Sequence, residues 1–250
     1  MAKVASLGAA TLATNLYDQL RADLLSGRLE PGRKLQIEFV AERYGAGQTP
    51  VREALNRLVS DGLVERREQR GFAVVGVSTD DLAELTKTRC WLEGIALRES
   101  IAAQSSSWEE TLVLAHHRLT RVPRSLTEDH YEENPEWEQM HRAFHRALIG
   151  GCGSRWLIGF CEQLADQLYR YRQHRYRQLT VRRLFPNRQD REEHKAILDA
   201  AIAGDADHAV ALLTTHYRKT ADIILNLPTE PPGPEGNSPA GSSDKPASPE

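Results

Sequence analysis

Two hydrophobic periodicities alternate along this chain, and glycines and prolines mark where one gives way to the other. Leu16, Leu20 and Leu24 recur every four residues, which places them on one helical face, and the pattern stops near Gly27. A turn at Pro31-Gly32 follows, then a short helix from about Gln36 to Tyr44 whose Phe39, Val40 and Tyr44 can pack on a third helix. That third helix carries Val51, Ala54, Leu55 and Leu58 inward and leaves Arg52, Asn56 and Arg57 outward. Thr49 is the expected N-cap and Pro50 the first helical residue, because proline lacks only an N–H that has no partner there. Gly45 and Gly47 permit the tight connection between the second and third helices.

After residue 62 the period changes to that of a hairpin. Leu63 to Val75 reads as two strands around Arg70-Gly71, and a short linker through Gly76-Val77 ends the first unit. Ser78-Thr79-Asp80-Asp81 supplies N-cap candidates and first-turn acids for a long helix, and the remainder is almost wholly helical. Further helices are predicted near 107–121, 134–150, 155–177, 190–203 and 206–226. The fold class is therefore mainly α: an N-terminal winged helix-turn-helix and a C-terminal antiparallel helical bundle. Domain bounds are expected at 1–13 for a flexible lead-in, 14–77, 78–227, and 228–250 for a tail. Pro, Gly, Ser and acidic residues dominate that tail, so ordering it would cost entropy with little burial in return, and it is expected to be disordered.

Composition and charge sharpen this picture. At 250 residues and 40% hydrophobic content the chain suits two domains with ordinary cores. Cys90, Cys152 and Cys161 show no C-x-x-C spacing, which argues against a disulfide framework and a zinc ribbon. No apolar stretch approaches the roughly 20 residues that span a bilayer, and the start lacks the pattern of a signal peptide, so a cytoplasmic address without a membrane partner is expected. The net charge of -3 is unevenly spread: residues 1–77 hold eleven Lys and Arg against nine Asp and Glu, while the tail carries an acidic excess. Phosphate contact depends on the local patch, so the overall charge does not oppose DNA binding.

Pro31-Gly32, Val40-Ala41-Glu42-Arg43, Thr49-Pro50-Val51-Arg52-Glu53-Ala54-Leu55 and Asp61-Gly62-Leu63-Val64 together resemble the DNA-binding domain of GntR-family regulators, over about residues 14–76. The resemblance implies Gln48, Thr49 and Arg52 at the major groove of a double-stranded operator, with Arg70 and Gly71 at the wing tip. The family often has Arg at the place of Gln48, and the change alters base preference: Gln pairs its donor and acceptor with adenine, Arg prefers guanine. Arg57, Arg66 and Arg67 read as phosphate contacts or solvated charge.

In the second domain His141 and His145 are four apart on one helical face, and His194 and His216 lie on two later helices. Imidazoles from three antiparallel helices can converge on one divalent ion, although any single one is as readily a satisfied core histidine. Phe144-His145-x-x-Leu148, Glu193-His194-x-x-Ile197 with Gly204-Asp205, and His216 resemble the all-helical ligand-sensing domain of FadR-type GntR regulators, over about 79–226. That resemblance implies His145, His194 and His216 as ligands of a divalent metal, zinc or nickel, and places His141 where the family commonly has Asp. It also implies that Arg89 clamps an effector carboxylate, although a pair with Glu93 one turn on is the structural alternative. Arg170, within the basic and aromatic run 169–177, is a second cavity candidate. The pattern around His141 and Cys152 resembles the subgroup of the carbon-starvation regulator, whose effectors are small dicarboxylates.

The resulting expectation is a homodimeric transcriptional regulator, a repressor released from a palindromic operator by a small carboxylate bound at the metal site. Two alternatives stand beside it: a metal-dependent enzyme fused to a DNA-binding head, and a sensor with a purely structural metal. Against the enzyme, Arg142 follows His141 where a zincin would carry its catalytic Glu.

Overall fold

A computed structural model describes residues 2–67, 71–127, 132–178 and 190–226. The elements run α1 (Ala2–Leu25), β1 (Lys34–Leu35), α2 (Ile37–Tyr44), α3 (Gln48–Ser60), β2 (Val64–Arg67), β3 (Gly71–Val74) and α4 (Thr79–Ala102). Then follow α5 (Ser106–Thr120), α6 (Pro135–Ile149), α7 (Arg155–Gln178), α8 (Asp190–Ile202) and α9 (Ala206–Asn226). The fold is thus a winged helix-turn-helix followed by a helical domain, as the periodicities require. No described helix is long and apolar enough to cross a membrane.

Leu16, Leu20 and Leu24 of α1 are buried with Val40 of α2, the apolar face of α3, and Leu63, Val64 and Val74. Burying side chains of this size contributes about 1.5 to 3 kcal/mol each, which explains why three short helices and a small sheet hold together. Gly45 ends α2 with φ of 62°, a left-handed conformation that turns the chain into α3 without the Cβ penalty other residues would meet. The wing strands pair antiparallel from Val64↔Val74 to Arg67↔Gly71, and Gly71 opens β3 with φ of 79°.

Three local expectations change. The N-cap of α3 is Gly47, not Thr49, so Gln48 is the first helical residue and Pro50 lies within the first turn. Pro50 is tolerated there because the first backbone bond to Gly47 is donated by Val51, one residue later. Residues 2–13, expected as a flexible lead-in, are helical and continue α1 upstream; their many alanines are strong helix formers. β1 has no counterpart in the sequence reading: two residues are too few to show alternation, and the strand exists because β3 has a second edge to pair, giving the order β1-β3-β2.

In the helical domain Ser78 caps α4, its Oγ accepting from the Asp81 N–H at 3.1 Å. Asn134 caps α6 in the same way through the Glu136 N–H at 3.0 Å, with Pro135 at the helix start. Helix α4 packs against α9, α7 and α6, while α8 lies between α9 and α5. Their shared core includes Leu97, Trp108, Leu112, Phe144, Leu148, Ile197, Leu213 and Tyr217. Trp108 sits deep enough to need a partner for its indole N–H and donates to the Ala147 carbonyl at 2.8 Å. Helix α7 belongs to both halves, packing on α4 in the helical domain and on α1 in the winged helix-turn-helix. Arg70 and the tail 228–250 lie outside the described residues.

Candidate metal centre and DNA-reading surface

Helix α6 carries His141 and His145 one turn apart, and α8 and α9 bring His194 and His216 to the same point. One nitrogen from each of the four lies within 4.8 Å of every other. Four nitrogens about 2.0 to 2.1 Å from one ion would stand roughly 3.3 Å apart in a tetrahedron, so the set closes on a single ion with small adjustment. The His141 and His145 Nε2 atoms are already 3.1 Å apart. His145, His194 and His216 are buried, and His141 is half-buried with its ring stacked on Trp137. Burial pushes the His141 pKa well below the usual imidazole value, and His145 and His194 push it further the same way. A neutral ring keeps the lone pair that ligation needs.

Outer partners fix two of these rings. His216 Nδ1 meets the Glu193 carboxylate at 2.8 Å, and the other oxygen of Glu193 accepts from Lys219 Nζ at 2.9 Å. His145 Nδ1 meets the Tyr217 hydroxyl at 3.0 Å. The His145 contact occupies the nitrogen remote from His141, and contacts of this kind orient a ring and raise its basicity as a ligand. Carboxylate and phenol partners of this kind fit a metal centre better than four solitary core histidines.

A cavity of about 400 Å³ opens beside the cluster, with His141, His145 and His216 in its wall. Arg89 also lines it, but its guanidinium is engaged: Nε donates to Glu93 at 2.5 Å and Nη2 to the Tyr217 hydroxyl at 3.2 Å. The helical pair that spacing offered as the alternative is therefore formed. Burial alone would lower the Arg89 pKa; Glu93 and Tyr217 outweigh it and hold the residue charged. Arg170 is a correction. It is absent from the cavity wall and instead donates to the Val75 carbonyl at 2.5 Å and the Gly76 carbonyl at 3.2 Å, in the linker between domains. On α7 the cavity face runs through Cys161, Glu162, Ala165, Leu168, Tyr169 and Arg172, so Arg170 points elsewhere.

On the DNA-reading side Gln48, Thr49 and Arg52 are all exposed at the start of α3, and Gly71 is exposed at the start of β3. Asn56 and Arg66 join the recognition helix to the wing through a 2.6 Å hydrogen bond. Arg57 lies 3.9 Å over the Tyr17 ring and Arg67 pairs with Glu65 at 2.7 Å, so these two, like Arg66, of the three residues read as phosphate contacts or solvated charge have internal partners. Sequence reasoning missed Tyr217, Arg142 and Arg172 as cavity residues. The first directly follows His216 and the second His141, and only the crossing angles of the helices decide that both neighbours reach one cavity.

Residues 12–74 match the model of the bacterial regulatory proteins of the gntR family, and residues 84–219 match the FCD domain. BphR, an HTH-type transcriptional regulator of Paraburkholderia xenovorans, is 38% identical over 83% of this chain and 83% of its own. GlaR, an HTH-type transcriptional repressor of Escherichia coli, is 30% identical over 83% of this chain and 93% of its own. The solved structure of E. coli McbR/YncC superposes with a TM-score of 0.67 at 24% identity, over 86% of this chain and 97% of that one, and supports the fold. The chain belongs to the GntR family, in the FadR-type branch that joins the DNA-binding domain to an FCD domain, and is a transcriptional regulator.

Proposed function

We propose that the protein is a homodimeric repressor that holds a palindromic operator through α3 and the wing and leaves it when a small carboxylate enters the cavity beside a metal-loaded histidine cluster. The observation that carries this reading is the convergence of four imidazoles, three of them in the wall of a cavity lined by arginines. His145, His194 and His216, with His141 as the fourth ligand, would hold zinc or nickel; the bound ion would supply two positive charges and a Lewis acid to which a carboxylate oxygen is attracted. Gln48, Thr49 and Arg52 read the major groove, and Arg70 and Gly71 enter at the wing. Two-fold symmetry of a dimer is matched by two half-sites on one face of the duplex. Regulation follows from linkage: the acid must favour the arrangement of the two heads that fits the operator poorly. Glu193 is committed to His216 and Lys219, which suits an orienting group rather than a catalytic base.

The test combines elemental analysis with operator release. Dialysed wild type should retain about one divalent ion per chain, and His194→Ala should lose it. A panel of organic acids should raise thermal stability and release an operator selected from random duplexes only in the metal-loaded protein. Full metal occupancy in His194→Ala would reject the coordination, and acid-independent operator binding would reject the effector.

A further inference from the structure

Five arginines line the cavity: Arg21, Arg89, Arg142, Arg146 and Arg172. Three have a carboxylate beside them, Arg89 with Glu93, Arg146 with Glu162 and Arg172 with Glu138. Arg21 and Arg142 differ. They share Asp166, Arg21 Nη2 donating to one oxygen and Arg142 Nη2 to the other. Two cations on one anion leave a positive charge in excess, and it lies in the cavity wall. Both arginine side chains are about a third exposed, at 34%, whereas Asp166 is at 11%, so a solute reaches the guanidinium groups more readily than the carboxylate between them.

The three residues come from three elements. Arg142 is on α6 directly after His141, Asp166 is on α7, and Arg21 is on α1 of the DNA-reading domain. One turn before Arg21, Tyr17 donates to Asp61 at the end of the recognition helix at 2.6 Å, and Leu20 and Leu24 bury against α3. Whatever holds Arg21 therefore holds α1 and α3 as one body.

We propose that Arg21 and Arg142 form the carboxylate-binding pair of the effector cavity, and that an entering carboxylate takes the place of Asp166 between them and so unties the DNA-reading domain from α7. The proposal rests on the acid-responsive reading above and gives it a location. Guanidinium forks favour planar carboxylates, and an acid held at one end by the metal cluster and at the other by this pair needs two anionic groups. The preferred class is then a short dicarboxylate, and the DNA-reading domain contributes a residue to its own effector site.

Succinate and its neutral diamide are the probes. Their binding to the zinc-loaded full chain is measured by calorimetry for wild type, Asp166→Asn, Arg142→Gln and Arg21→Gln, with metal content and circular-dichroism melting as controls. Removing the internal competitor should make Asp166→Asn bind succinate about tenfold more tightly, and each glutamine variant should bind it about tenfold more weakly, because one charge-assisted fork is lost. The diamide should bind none of them. Without any acid, Asp166→Asn should already hold the operator more weakly than wild type. Unchanged succinate affinity in Asp166→Asn, or wild-type affinity in Arg142→Gln, overturns the proposal. If both glutamine variants release the operator with succinate as wild type does, the pair is wrong and the acid-responsive reading stands. If zinc-loaded wild type and Asp166→Asn both fail to bind succinate, the dicarboxylate pair falls, whereas the acid-responsive reading falls only if no acid of the panel releases the operator.

Discussion

Tyr217 stands between the cavity wall and the imidazole cluster, and its single hydroxyl sets the protonation pattern on both sides. It donates to Glu93 and receives Arg89 Nη2 at 3.2 Å, so towards His145 Nδ1 at 3.0 Å it acts as acceptor. The proton of His145 then sits on Nδ1 and the lone pair on Nε2, facing His141. Burial raises the Tyr217 pKa well above the usual phenol, Arg89 opposes this, and Glu93 adds to it, so the hydroxyl stays protonated at any physiological pH. Arg89 thus holds Glu93, which in turn fixes the phenol. Arg89→Met would strand a buried carboxylate and should destabilise by about 3 to 5 kcal/mol, whereas Arg89→Met with Glu93→Gln should recover much of the loss, because the buried charge is removed with its partner. Urea unfolding of both variants checks this; equal destabilisation would mean that Arg89 matters by its packing on the Tyr217 ring, where its guanidinium lies 4.0 Å from the centroid.

Helix α3 shows how much an element can be read from its own residues. Val51, Ala54, Leu55 and Leu58 at helical spacing define the inward face, and all four are buried, leaving Arg52 exposed in the first turn. In the second domain the starts of α4 and α6 are legible from their capping residues, Ser78 and Asn134. The four histidines could be singled out because repeated imidazoles on apolar faces are unusual, and helical spacing puts two of them together. What spacing cannot carry is the relation between helices: whether Arg170 faces the cavity or the linker depends on crossing angles that no local pattern encodes. The two-residue β1 is invisible for a related reason, since its only support is an edge supplied by distant β3. The expectation for α3 is testable by itself. Arg52→Ala should cost about 1 to 3 kcal/mol of operator affinity and leave the melting temperature unchanged, because the side chain is exposed. Fluorescence anisotropy at fixed salt measures it, and an unaltered affinity would remove Arg52 from the reading surface.

At the scale of the whole molecule, α7 is the shared beam. One side gives Leu168, Tyr169 and Arg172 to the cavity, and other positions hold the DNA-reading domain: Asp166 binds Arg21, Gln167 Nε2 donates to the Gly62 carbonyl at 2.9 Å, and Arg170 takes the linker carbonyls. Tyr171 completes the seam, accepting from the Ser78 N–H at 3.2 Å and donating to Asp81 at the start of α4. A shift of α7 at the cavity is therefore felt by α1, by the end of α3 and by the linker together, which is what a bistable coupling between two sites requires. Arg170 is the most buried of these ties, at 1% exposure, and burial lowers its pKa, with Tyr171 and Asp81 opposing that effect. Its replacement separates the beam from the site. Arg170→Met keeps the length of the stem but removes both linker bonds, each charge-assisted contact contributing about 1.5 to 3 kcal/mol. Amide exchange at Gly76 and Val77 should then quicken, and acid-induced operator release should weaken because the linker no longer follows α7. Metal content should be unchanged, since Arg170 lies outside the cavity wall and the histidine cluster. Hydrogen exchange resolved by mass spectrometry, run beside elemental analysis and operator release, makes the distinction: wild-type exchange and release in this variant would show that the linker is not how the cavity speaks to the DNA-reading heads.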